Sequence, residues 1–183
     1  SLSKNTNQNI NISNMNKKIN SLDLMVTNDC NLSCCYCYHH FKKNYSKLKF
    51  KVMSKEVAKK SIDFLFNNSI PDQLCSIIFF GGEPLLNFSI IKFTVLYALK
   101  LFSKAGRKIE FSITTNGTLL NIRIINFLIK YNFSIMISSD GEPNTNHKYR
   151  SFKLFHKNNN YNLILQKILL LNKLRPVTMR ATL

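Results

Sequence analysis

Short, β-leaning apolar runs alternate with longer helix-patterned segments along this chain, and that alternation limits its fold more than any other feature. The runs are "LDLMVT" from Leu22, "SIIFF" from Ser76, "IEFSITT" from Ile109, "FSIMISS" from Phe133 and "VTMRATL" from Val177. Between them, "SKEVAKKSIDFLFNN" from Ser54, "FSIIKFTVLYALKLFSK" from Phe88, "NIRIINFLIKY" from Asn121 and "YNLILQKILLLNKL" from Tyr161 read as helices. In the first of these, Ser54 is the expected N-cap, and Val57, Ile62, Leu65 and Phe66 are the expected apolar face. Strand–helix alternation with short connections predicts an α/β fold of parallel strands joined by right-handed crossovers. A doubly wound sheet and a TIM-like barrel share that pattern.

The placement of the unusual residues separates the two. A cysteine-rich stretch follows the first strand, Gly81-Gly82 the second, Asn116-Gly117 the third and Asp140-Gly141 the fourth. In a barrel the loops at the C-terminal strand ends converge on one mouth. An open sheet places its ligand mainly at one switch point. Polar motifs at four successive strand ends therefore suit a barrel or a partial (β/α) barrel.

The stretch "CNLSCCYC", residues 30 to 37, holds four of the chain's five cysteines. Such clustering does not make a disulfide framework, and it points to a reducing compartment and a metal centre; the expected location is the cytoplasm. Cys34 and Cys37 alone form C-x-x-C, the spacing of a redox pair, but that motif needs only two cysteines. Zinc is a second reading, with His39 or His40 completing a Cys3His set, although structural zinc usually gathers ligands from two separated knuckles. The third reading is a [4Fe–4S] cluster on Cys30, Cys34 and Cys37, with three thiolates on one loop and one iron left open. Cys35 falls outside that spacing and reads as a small packing residue, and Cys75, before a buried strand, reads as core.

C-x-x-x-C-x-x-C directly after the first strand, Tyr36 before the last cysteine, "GGEP" at 81–84, "TTNGTLL" from Thr114 and "SSDGEPNTNHKYR" from Ser138 together resemble the radical S-adenosylmethionine (radical SAM) superfamily. The resemblance is to its branch that matures peptides and proteins and often carries a SPASM extension. It implies a six-stranded partial barrel, a [4Fe–4S] cluster on Cys30, Cys34 and Cys37, and reductive cleavage of SAM to a 5′-deoxyadenosyl radical. It places Tyr36 near the adenine, Gly81 and Gly82 against the methionine end, and Glu83 on the methionine ammonium. Thr115, Asn116, Ser138 and Asp140 fall on the rim beside ribose and carboxylate, and Arg180 faces the SAM carboxylate. It also implies a peptide or protein substrate and an electron donor such as flavodoxin or ferredoxin. The competing class is a zinc- or cluster-binding module without the radical chemistry.

At 183 residues the chain is long enough for one domain. Residues 1–20, polar and Asn-rich, read as a disordered lead-in, and 21–183 as the radical SAM core. The apolar runs read as too short to span a membrane, so no membrane partner is expected. The net charge of +17 comes from dispersed lysines in a Lys-, Asn- and Ile-rich composition, so it reads as compositional and nucleic acid is not an expected partner. With no cysteine after Cys75, no auxiliary cluster is expected within these residues. Five strands against six, the last running to Leu183, read as a core truncated at its C-terminus, with peptide modification expected to need more chain.

Overall fold

A computed structural model describes residues 19–37, 52–153 and 160–181. Residues 1–18 of the Asn-rich lead-in, and His39 and His40, lie outside the described residues. The elements in chain order are β1 (Ser21–Thr27), β2 (Leu32–Cys34), α1 (Lys55–Asn68), β3 (Cys75–Gly81), a 3-10 turn (Pro84–Asn87), α2 (Phe88–Lys104), β4 (Ile109–Thr115), α3 (Ile122–Lys130), β5 (Ser134–Ser138), α4 (Pro143–Tyr149), β6 (Arg150–Phe152), α5 (Asn160–Asn172) and β7 (Thr178–Arg180).

Five strands form one parallel sheet in the order β1-β3-β4-β5-β7. Each new strand is added beside the previous one, so the order never reverses and there is no switch point. All the C-terminal strand ends therefore line up along one edge. Alternation sorts the two faces. Leu24, Val26, Ile77, Phe79, Phe111, Ile113, Ile135 and Ile137 are buried on the helix-covered face. Phe79, Phe111 and Phe133 stack there with centroids 5.4 to 6.4 Å apart. The other face carries Asp23, Ile78, Phe80, Ser112, Thr114, Met136 and Ser138, none of them fully buried.

Ser54 caps α1 as expected, its hydroxyl accepting from Val57 N at 3.2 Å. The apolar face is shifted, however: Ala58, Ile62 and Leu65 are buried and Val57 is 50% exposed. Asn121 caps α3 in the same way, accepting from Ile124 N at 3.0 Å. The 21 residues Pro84–Lys104 are long and apolar enough, by length and composition alone, to cross a membrane, which corrects the expectation that no run reaches that length. Ile90, Ile91, Val95, Ala98 and Phe102 of this segment are buried in the core.

The larger departure is a second sheet. The stretch between β5 and the next helix, to which the alternation assigned no element, contains α4 and β6. β6 pairs antiparallel with β2 inside the cysteine stretch, matching Leu32 with Phe152 and Cys34 with Arg150.

Candidate functional site

The site is built first on close backbone approach. After β1 the chain passes over the end of β3, where Gly82 N donates to Thr27 O (3.0 Å) and Glu83 N to Asp29 O (2.7 Å). A Cβ on Gly81 would lie 2.1 Å from Thr27 O, and one on Gly82 2.1 Å from Asp29 O. Both positions thus require glycine before any ligand is considered. Asp29 then turns the chain: its Oδ1 accepts from Cys30 N and from Lys153 Nζ, each at 2.8 Å.

Glu83 is fully buried. Its Oε1 accepts from Thr115 Oγ1 (2.6 Å) and Leu85 N (3.0 Å), and its Oε2 from Asn116 N (2.7 Å). Burial pushes its pKa up to about 7, although all three donors favour the ionised form. Asn116 extends the network to the cysteine loop. Its Nδ2 donates to Asn31 Oδ1 (2.9 Å) and reaches Cys30 Sγ at 3.7 Å, while Asn31 Nδ2 donates to Thr118 Oγ1 (2.8 Å). The Asn-Gly pair after β4 is therefore more than a turn, because it fastens the loop that carries Cys30.

Between the cysteine loop and the strand ends lies a cavity of about 510 Å³. Cys30, Cys34, Cys37, Tyr36 and Arg150 form one wall, Gly81, Gly82, Thr115 and Asn116 the strand ends, Ser138 and Arg180 the far side, and Asp23, Ile78, Phe80 and Thr114 the sheet face. Ser138 and Arg180 are register partners across β5 and β7. Two of the expected SAM-binding residues do not line the cavity: Glu83, expected on the methionine ammonium, and Asp140, expected on the rim, lie behind the wall. Asp140 is buried, ion-paired to Arg150 Nε at 2.8 Å, and accepts the Tyr36 hydroxyl. Cys35 is exposed and outside the cavity, so it is not the packing residue the sequence suggested; Cys75 is buried in the core.

The thiols fit a metal cluster. Burial pushes Cys34 up to about 12, opposed by Arg150 and reinforced by Cys30 and Cys37. Burial raises Cys30 as well. Thiols in such a setting become thiolates when a metal displaces their protons. Among the described residues, no three His, Cys, Asp or Glu side chains are gathered to hold a single ion. A four-iron cluster takes one thiolate per iron and so accepts ligands spread along one wall.

The sequence alone assigned no role to Arg150, Asp23 or Lys153. Arg150 lies within "SSDGEPNTNHKYR", but only its pairing with Cys34 reveals its place.

Residues 24–182 match the model of the Radical SAM superfamily. The chain belongs to the radical SAM superfamily. The cofactors of the family are a [4Fe–4S] cluster and SAM. One relative is the radical SAM cyclopropyl synthase TigE of Paramaledivibacter caminithermalis, 32% identical over 167 residues, covering 79% of this chain and 34% of that protein. A cysteine-type anaerobic sulfatase-maturating enzyme of Clostridium novyi is 29% identical over 158 residues, covering 86% of this chain and 41% of that protein. Among solved structures, native anSMEcpe with bound AdoMet and Cp18Cys peptide superposes with a TM-score of 0.73 at 25% identity, covering 88% of this chain and 42% of that one. The chain thus spans less than half the length of these relatives.

Proposed function

We propose that this chain holds a [4Fe–4S] cluster on Cys30, Cys34 and Cys37 and binds SAM in the adjoining cavity, serving the modification of a peptide or protein. The observation that carries this reading is the common wall: the three cysteines face one cavity at the strand ends, and Cys35 does not. When bound, the cluster supplies the electron that splits SAM to a 5′-deoxyadenosyl radical.

The chain's own residues bind and orient. Gly81 and Gly82 offer bare backbone to the methionine end. Both oxygens of Glu83 are engaged by Leu85, Thr115 and Asn116. Its part in holding the methionine ammonium is therefore to fix the backbone behind that end and, once ionised, to place negative charge there. Ser138 and Arg180, side by side, suit the ribose and the carboxylate. Tyr36 borders the adenine, and Asp140 anchors Tyr36 from behind. Thr115 and Asn116 join the strand ends to the cysteine loop. The sequential order of the parallel sheet and its uncovered face support a partial barrel with the cavity at its mouth.

A peptide or protein substrate is supported by the sulfatase-maturating relative and by the peptide in the anSMEcpe structure. A flavodoxin- or ferredoxin-type donor in the cytoplasm completes the reading. The test is anaerobic reconstitution with iron and sulfide, then dithionite and SAM. About four irons per chain, a brown colour and 5′-deoxyadenosine are expected. A colourless protein with one tightly held zinc would sink the reading in favour of a non-catalytic module.

A further inference from the structure

Beside the three cysteines sits a buried ion pair whose arginine borders the cavity. Arg150 Nε lies 2.8 Å from Asp140 Oδ2, with side chains 7% and 1% exposed. Tyr36, in the turn between Cys34 and Cys37, donates its hydroxyl to the same Asp140 oxygen, and the Arg150 guanidinium lies over its ring at 5.4 Å from the centroid. The backbone holds this group at a fixed distance from the sulfurs. Arg150 is the register partner of Cys34 in the β2–β6 ladder, and Cys35 N donates to Tyr149 O at 3.0 Å. From the other side, Asp140 N donates to Asn146 Oδ1 at 3.1 Å.

A buried ion pair is weak evidence for stability, because desolvation of both charges offsets most of their attraction. Apolar side chains would pack β2 against β6 as well. The feature an apolar pair would not supply is charge, one of each sign, fixed next to a redox centre. Net charge and nearby dipoles are among the quantities that set the potential of an iron–sulfur cluster.

We propose that the Asp140–Arg150 pair sets the reduction potential of the cluster, Arg150 raising it and Asp140, restrained by Tyr36, lowering it. The inference rests on the reading that Cys30, Cys34 and Cys37 hold the cluster. Reduction takes [4Fe–4S]2+ to [4Fe–4S]+ with one electron and breaks no bond. It adds one negative charge beside the pair, which the guanidinium favours and the carboxylate opposes, through a medium that screens poorly. These are positioning residues, acting through the cluster and not on substrate.

The test is the midpoint potential of the reconstituted chain without SAM, titrated with dithionite and followed by electron paramagnetic resonance. Arg150→Gln should lower the potential and Asp140→Asn should raise it, each by at least a tenfold change in the reduction equilibrium, about 59 mV for one electron. The double variant should return toward the parent value, and Arg150→Lys should stay near it. A merely structural role does not produce shifts of opposite sign, so shifts in the same direction, or none, overturn the proposal. If Arg150→Gln or Asp140→Asn fails to retain iron, Tyr36→Phe decides. Without the hydroxyl the Asp140 charge is felt more strongly, so the potential should fall, and an unchanged value overturns the proposal. A parent chain that takes up no iron would overturn the cluster reading itself, and this inference with it.

Discussion

At Glu83 all three hydrogen-bond partners of the carboxylate are donors, yet burial still favours the proton. The unfolded carboxyl titrates near 4.5 and the folded one near about 7. Between those values the unfolded chain has released a proton that the folded chain keeps. Stability therefore falls as pH rises across that window and levels off above it, by up to about 3 kcal/mol. Denaturant unfolding of the reconstituted protein between pH 5.5 and 7.5 should show the decline. Glu83→Gln should flatten it, at a lower overall stability, since an amide N–H2 cannot accept from Asn116 N. A parent whose stability rises with pH would show that the three donors outweigh burial. The cysteines give a second residue-scale prediction. Cys30→Ala, Cys34→Ala and Cys37→Ala should each abolish cluster assembly and Cys35→Ala should not, read as iron per chain. Loss in Cys35→Ala with retention in Cys34→Ala would show the wrong set of ligands. These residues were legible as a spacing. That Glu83 lies behind the wall and Cys35 faces solvent was not, because burial depends on what packs above a residue and not on its neighbours in sequence.

Among the elements, those that continue the strand–helix alternation were readable, and the two strands outside it were not. The strands of the main sheet and the helices α1, α2, α3 and α5 announce themselves by periodicity and caps. β2 and β6 have three residues each, too few for any period, and their pairing spans more than a hundred residues of sequence. Even within α1 the exact face was missed, because Val57 and Ala58 lie on neighbouring sides of the helix and the core selected the smaller one. The C-terminal end of α1 shows another contact invisible to pattern. Arg107 lies against the rings of Phe66 and Phe102, at 4.7 and 5.0 Å, and donates to Phe66 O (2.8 Å) and Ile70 O (3.2 Å). It satisfies the Phe66 carbonyl in the last turn of the helix and ties that turn to the loop beyond at Ile70. Arg107→Ala should destabilise the fold by about 2 kcal/mol while leaving iron content after reconstitution unchanged, because Arg107 sits at the N-terminal end of the sheet, beside Cys75, and Cys30, Cys34 and Cys37 lie at the opposite end. A loss below about 0.5 kcal/mol in a denaturant titration would reduce the contact to decoration.

For the whole molecule, the order of motifs along the chain held the most information. Four polar motifs after four consecutive strands can meet only if the strands are parallel and neighbours in sequence are neighbours in space. The sheet order β1-β3-β4-β5-β7 satisfies that condition. It turns four separated stretches into one cavity edge. The strap from α4 and β6 then ties the fourth motif back to the first, which alternation alone did not foretell. On the proposed function, one cavity holds both a cluster with an open iron and the SAM beside it. The most direct test is the electron paramagnetic resonance spectrum of the reconstituted, dithionite-reduced chain, recorded before and after SAM is added. A [4Fe–4S]+ signal is expected whose shape changes on addition of SAM in the parent and in Cys35→Ala. A cluster signal that SAM leaves unchanged, or no cluster signal at all, would contradict it.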